Sequence, residues 1–301
     1  MIYINNKSFK LKYIHVLISI ALVLILVSCS ESASVKAMKL KKAEELYMSA
    51  IKSGDNQKYY DAIDSCQKAI EIIPNYLDAL NYLAKMYIYV QDDISAKDIL
   101  DRALAFEDDE NIKDDKYAMT LHYLAVIFEN RGESDKALDY YFEAAAIREQ
   151  VLGTENAETA RTYYNIAVIY AKKDVYQLAI PLYEKILSIY KNKLYEYDPR
   201  IAELCYNIAV AYLKIGMFEK SLEYHFEALE IYSKIINIDE LYIGNIYYNI
   251  SIIYYYMNDK ENALKYAQFA YDIRIKKLGE NDRRTINIKV LINEINKPKE
   301  D

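Results

Sequence analysis

Small and bulky apolar positions recur along this chain with a long, fixed period. One column of small residues is Ala50, Ala84, Ala125, Ala167, Ala209 and Ser251, and a second is Ala62, Ala96, Ala137, Ala179, Ser221 and Ala263. In every unit the two columns stand 12 residues apart. Seven residues beyond the second come Ala69, Ala103, Ala144, Ile186, Ala228 and Ala270. Three residues after the first comes a bulky filler: Tyr87, Phe128, Tyr170, Tyr212 or Tyr254. Small side chains are needed where two helices cross closely, because larger ones push the axes apart. The pattern therefore predicts a helix, a turn and a second helix per unit, six times over. Tyr164-Asn165-Ile166-Ala167, Tyr206-Asn207-Ile208-Ala209 and Tyr248-Asn249-Ile250-Ser251 recur at 42 residues, with His122-Tyr123-Leu124-Ala125 a further 42 upstream. Such repetition marks a solenoid of stacked helix pairs.

This small-large-small pattern resembles the tetratricopeptide repeat. Units 43–76 and 77–110 keep a 34-residue spacing, with Pro74 closing the first. Units 118–159, 160–201, 202–243 and 244–285 have longer helices and resemble the 42-residue repeats of kinesin light chains. The turns Leu152-Gly153-Thr154-Glu155 and Leu278-Gly279-Glu280-Asn281 add to that resemblance. It implies an all-α, right-handed solenoid of about six helix pairs. A capping helix is expected over 286–297, overlapping an amphipathic stretch from Asp282 to Asn296, followed by a tail over 298–301. Gly132, Asp174, Gly216 and Asn258 fall in the turns within pairs, where left-handed backbone or helix capping is needed. Pro181 falls inside a second helix, where the resemblance implies that it is tolerated.

The N-terminal segment has a different pattern. Lys7, Lys10 and Lys12 precede an uncharged apolar run from Ile14 to Val27, too short to span a bilayer and suited to a secretory leader. The run ends in Leu26-Val27-Ser28-Cys29, which resembles the lipobox of bacterial lipoproteins. The expectation is a signal peptide over 1–28, cut before Cys29, and a lipidated Cys29 with a short tether over 29–42. Two or three acyl chains make such an anchor durable. The expected location is an exported protein held to the bacterial membrane, with Ser30 favouring the outer one. Loss of residues 1–28 removes three lysines and no acids, leaving 35 basic against 45 acidic side chains, a net −10. A domain this acidic is a poor partner for nucleic acid. Cys66 and Cys205 lie four units apart, beyond the ~7 Å reach of a disulfide, and are expected as buried free thiols. The acidic run Glu107-Asp108-Asp109-Glu110 to Asp114-Asp115 is read as a solvated loop.

No catalytic pattern is present: there is no His-Glu-x-x-His, no Gly-x-Ser-x-Gly and no glycine-rich phosphate loop. No enzyme activity, metal, cofactor or small-molecule substrate is expected. His122 and His225 are read as packing residues. The resemblance implies that first helices line a concave groove that binds a protein or peptide segment. It places Asn165, Asn207 and Asn249 on that groove, where an amide offers a donor and an acceptor to a peptide backbone. A competing reading has each asparagine bonding a neighbouring helix and setting repeat geometry. Tyr164, Tyr206 and Tyr248, with Tyr255 and Tyr256, are candidate side-chain pockets. Arg161, Lys172 and Lys214 would add positive charge suited to an acidic or C-terminal segment. Function is accordingly read as a lipid-anchored scaffold of the cell envelope that binds a protein partner. A self-associating structural lipoprotein and a peptide-sensing module are the alternatives.

Overall fold

A computed structural model describes residues 33–106 and 114–297. Every regular element among them is a helix. The leader, Cys29 and the lipobox, most of the acidic run and the 298–301 tail lie outside the described residues. The chain divides into two compact units, one up to Ile112 and one from Lys113 onward.

The first unit contains α1 (Ala33–Asp55), α2 (Tyr59–Ile72), α3 (Leu77–Tyr89) and α4 (Asp93–Ala105). Its core joins Ala43, Ala50, Ile63, Cys66, Leu80, Leu83 and Met86. The stretch 33–42, expected as tether, is helical and continuous with α1. The reason is local: Ala33-Ser34-Val35-Lys36-Ala37-Met38-Lys39-Leu40-Lys41-Lys42 is rich in strong helix formers and contains no glycine or proline.

The second unit contains four further pairs. They are α5 (Asp115–Asn130) with α6 (Ser134–Leu152), α7 (Ala157–Lys172) with α8 (Tyr176–Lys193), α9 (Pro199–Lys214) with α10 (Phe218–Lys234), and α11 (Glu240–Tyr256) with α12 (Lys260–Leu278). A last helix, α13 (Arg283–Asn296), packs on α12 and buries Ile288 and Ile295. It begins three residues before the stretch expected as a cap, because Asp282 accepts from the backbone N–H of Arg284 and so sets the start.

All three columns, including Ile186 in the otherwise alanine third column, are fully buried in every unit. Where serine replaces alanine, the hydroxyl shows that the first two columns touch. Ser221 Oγ donates to the carbonyl of Ala209 at 2.7 Å, and Ser251 Oγ to that of Ala263 at 2.9 Å. A buried hydroxyl is tolerated there because the partner helix supplies an acceptor. The fillers pack one turn away: Phe128 stacks on Tyr140, Tyr212 on Tyr224 and Tyr254 on Tyr266.

One turn geometry joins the two helices of every pair. Its middle residue has positive φ at Gln57, Gln91, Gly132, Asp174, Gly216 and Asn258. The amide of that residue bonds back three positions and the next amide five, as in Asp174 N to Ala171 O and Val175 N to Tyr170 O. This double bond-back closes the carbonyls left open at a helix end. The expected Gly132, Asp174, Gly216 and Asn258 occupy four of these places. Gln57 and Gln91 occupy the others, where side-chain identity gives no warning of a left-handed residue. Pro181 lies inside α8, which continues through it. Cys66 and Cys205 are buried free thiols, and burial pushes each up to about 12.

Candidate functional site: a tyrosine–asparagine ladder and the groove beside it

The repeated Tyr-Asn pairs build a ladder from one pair of helices to the next. On α7, Asn165 donates through Nδ2 to the hydroxyl of Tyr141 on α6 at 3.0 Å and faces His122 Nε2 on α5 at 3.5 Å. On α9, Asn207 donates to the hydroxyl of Tyr164 on α7 at 3.0 Å. On α11, Asn249 bonds the hydroxyl of Tyr206 on α9. The register follows from the 42-residue period: each asparagine meets an aromatic position of the preceding pair. The column of His122, Tyr164 and Tyr206 also packs on a second aromatic column of the second helices, Tyr141, Tyr183 and His225. Burial, as the leading cause, raises the hydroxyl pKa of Tyr141, Tyr164 and Tyr206, keeping them protonated donors.

Two of the tyrosines pass the bond on to a carboxylate. Tyr141 donates to Glu129 Oε2 at 3.3 Å, and Tyr164 donates to Glu203 Oε1 at 2.9 Å. Each forms a relay of amide, phenol and carboxylate. Lys172 closes the first by donating to Glu129 Oε1 at 2.6 Å.

The other cations anticipated from sequence divide. Arg161 pairs with Glu158 through Nη2 at 2.5 Å, so it and Lys172 both serve ion pairs within the chain. Lys214 lines a groove of about 520 Å³ with Tyr248, Asn249, Val210, Ile252 and Tyr256. Three of the nine groove residues expected from sequence thus meet in one place. Tyr206 and Asn207 line a separate, smaller cavity, and Tyr164 stands behind it through its bond to Glu203. Tyr255 and Tyr256 are exposed, and Phe218 stacks on Tyr256 at 5.8 Å.

Sequence reasoning passed over two buried arginines. Arg148 on α6 donates to Asp115 Oδ1 at 2.9 Å, to Thr162 Oγ1 at 2.8 Å and to the carbonyl of Glu158 at 3.3 Å. Arg274 on α12 donates to Asn245 Oδ1 at 3.1 Å and to the carbonyl of Arg284 at 2.9 Å, and lies over the ring of Tyr248 at 4.4 Å. The signal was available: both occupy one position of the repeat, three periods apart, in second helices whose inner faces are otherwise apolar.

His122 is buried and held well below its ordinary pKa by desolvation, with Arg161 and Arg148 adding to the effect. His225 is buried and lowered to about 4, again by desolvation. Its Nδ1 stands 2.8 Å from the carbonyl of Ser221, while Nε2 is buried without a partner. Both histidines pack as the sequence reading placed them. Among the described residues no cluster of three or more His, Cys, Asp or Glu could hold a metal ion, and no helix is long and apolar enough to cross a membrane.

The helix pairs, the small-residue columns and the bonded turns define a helical-repeat scaffold. A tetratricopeptide repeat model matches residues 116–192 and 200–276, about half of the sequence, and the chain belongs to the tetratricopeptide repeat family. PilF of Pseudomonas aeruginosa is similar over 84% of this chain and 98% of its own, at 15% identity and a TM-score of 0.62. BtubC (BKLC) of P. vanneervenii is similar over 81% and 93%, at 20% identity and a TM-score of 0.60. A putative kinesin light chain of Podosopora anserina with nearly identical TPR-like repeats is similar over 68% and 98%, at 18% identity and a TM-score of 0.57. At these identities the likeness concerns the fold. No curated protein matches the chain. The fold is that of a protein-interaction scaffold, a class that binds peptide or protein partners.

Proposed function

We propose that this chain is a non-enzymatic, lipid-anchored scaffold of the bacterial cell envelope that holds a segment of a protein partner in the groove between α9 and α11. The observation that carries the reading is the lining of that groove. Val210, Leu213 and Ile252 offer apolar surface, Tyr248 and Tyr256 offer amphipathic rings, and Lys214 and Asn249 offer polar anchors. This mixture of an apolar strip with a few convergent polar groups is what a peptide segment requires. The bond from Asn249 to Tyr206 fixes that side chain in place, so the amide is presented without ordering cost.

Magnitudes set the shape of the partner. One or two polar contacts contribute about 1 kcal/mol each, against roughly 8 kcal/mol for micromolar affinity, so buried apolar anchors must supply the remainder. The anchor to the membrane rests on the leader and on Leu26-Val27-Ser28-Cys29. Its test is Cys29→Ala: the variant should accumulate as an unprocessed, unlipidated precursor, and normal processing with membrane recovery would remove the anchor from the reading.

The groove is tested by crosslinking the tagged chain in its own cells, comparing wild type with Lys214→Glu/Tyr256→Ala. Both side chains are exposed, so folding should persist. The reading expects a partner that is lost only from the variant. A partner list unchanged by the variant, or one holding only this chain, would replace the groove with self-association.

A further inference from the structure

Glu203 sits at the rim of a cavity of about 220 Å³ between α9, α10 and α11, lined also by Tyr206, Asn207, Tyr232, Tyr242 and Asn245. No lysine or arginine among the described residues lines it, and none pairs with Glu203. The contrast with the first relay gives this meaning. Asn165, Tyr141 and Glu129 end on a cation, because Lys172 closes the carboxylate at 2.6 Å. Asn207, Tyr164 and Glu203 repeat the amide, phenol and carboxylate with bonds of 3.0 and 2.9 Å and end on the cavity. We infer that this cavity is a receptor for one basic side chain, an arginine or lysine of the protein partner, which supplies the cation that closes the second relay.

The surroundings suit a cation. Tyr232 forms a buried wall and stacks on Tyr242 with ring centroids 5.7 Å apart, while Tyr242 is half exposed at the mouth. Aromatic faces attract a cation through the ring quadrupole, and a guanidinium adds planar stacking and a fork that matches a carboxylate. Tyr164 holds Glu203 in position from behind, which is how a recognition carboxylate is preorganised. Arg274, the basic group beyond Asn245, is committed to Asn245 Oδ1, the carbonyl of Arg284 and the ring of Tyr248. At this size the cavity falls below the roughly 300–1,000 Å³ of ordinary ligand pockets and fits a single side chain. The inference rests on the proposed function, because it assigns chemistry to the partner of the same face. It also reverses the charge expected from Arg161 and Lys172, both of which the chain pairs internally.

The chain has no tryptophan, so Tyr242→Trp places a unique fluorophore on the cavity wall. The full chain carrying that substitution is titrated with Nα-acetyl-arginine amide and with its citrulline analogue, which keeps the shape and lacks the charge. The expected result is a saturable change with arginine, weakened about tenfold or more with citrulline and to a similar degree when Glu203→Gln is added. No saturable response, an equal response to both compounds, or indifference to Glu203→Gln would overturn the inference. Partner capture through Lys214 and Tyr256 is a separate measurement. Arginine binding without capture supports this receptor against the groove reading, whereas capture without arginine binding removes the receptor and leaves the groove reading in place.

Discussion

Arg148 and Arg274 occupy the same repeat position at opposite ends of the second unit, and their surroundings differ. Arg148 is fully buried with Asp115 as its ion partner and Glu158 nearby. Arg274 is 4% exposed and meets an amide, a carbonyl and an aromatic face, with its Nε buried and unpartnered. The relays repeat this contrast, since Lys172 closes Glu129 and no cation among the described residues pairs with Glu203. The difference teaches that a repeat copies a backbone address without copying its electrostatics. Around α5 to α7 the charged groups meet counter-ions, although Arg148 Nη2, Glu158 Oε2 and Arg161 Nε stay buried without a hydrogen bond, whereas around α9 to α11 Glu203 meets no cation among the described residues.

The comparison breaks most sharply at the arginines. Replacing Arg148 by Met leaves Asp115 without its ion partner and should lower unfolding free energy by about 3 kcal/mol. Arg274→Met leaves no carboxylate behind and should stay within about 1 kcal/mol of wild type. Urea unfolding of the two variants decides the matter, and equal losses would mean that the two ends do not differ energetically.

Acid provides the next effect. His225 ionises at about 4 in the folded chain, against an ordinary 6.5, so folding favours its neutral form. The stability this gives is present above pH 6.5 and is lost as pH falls from 6.5 toward 4, amounting to about 2 kcal/mol by pH 5. His122 is shifted in the same direction by its burial and adds to the loss. Melting at pH 7 and pH 5 should show a smaller drop for His225→Phe than for wild type; an identical drop would remove His225 from the account.

Smaller still is the ladder. Asn207→Ala removes one bond to Tyr164 and should cost about 1 kcal/mol, with Asn165→Ala at least as costly because it also faces His122. A denaturation midpoint unmoved in both variants would show that the rungs contribute nothing net. The smallest effect is chemical. With thiols pushed up to about 12 and buried, Cys66 and Cys205 should resist iodoacetamide at pH 8 in the folded chain and react once it unfolds. Labelling of the native chain at the rate of a free thiol would contradict their burial.

Much of the fold was legible because a repeated contact leaves a repeated residue. Ala125, Ala167, Ala209 and Ser251 must be small wherever two helices touch, so the sequence displays the crossing point directly. Less of the site was legible. Asn207 reads equally well as a ligand for a peptide or as a bond to a neighbouring helix, since one amide suits both. Arg161 and Lys172 read as free positive charge because their partners Glu158 and Glu129 are identified only by the path of the chain. Glu203 carried no signal, because its repeat equivalents are Arg161 and Asn245 and a column without agreement looks like solvent.

The sequence by itself determined the helix pairs, their period and most of the turns, because each depends on residues close along the chain or on a strictly repeated spacing. It also determined that the two cysteines would be buried and the histidines would pack. Tertiary structure alone decided which tyrosine each asparagine meets, which carboxylates are neutralised and which arginine lacks one. Those outcomes depend on distances between side chains some 30 to 43 residues apart, such as Arg148 and Asp115 or Asn207 and Tyr164. The ångström offsets that separate a closed relay from an open one arise only when the helices are packed.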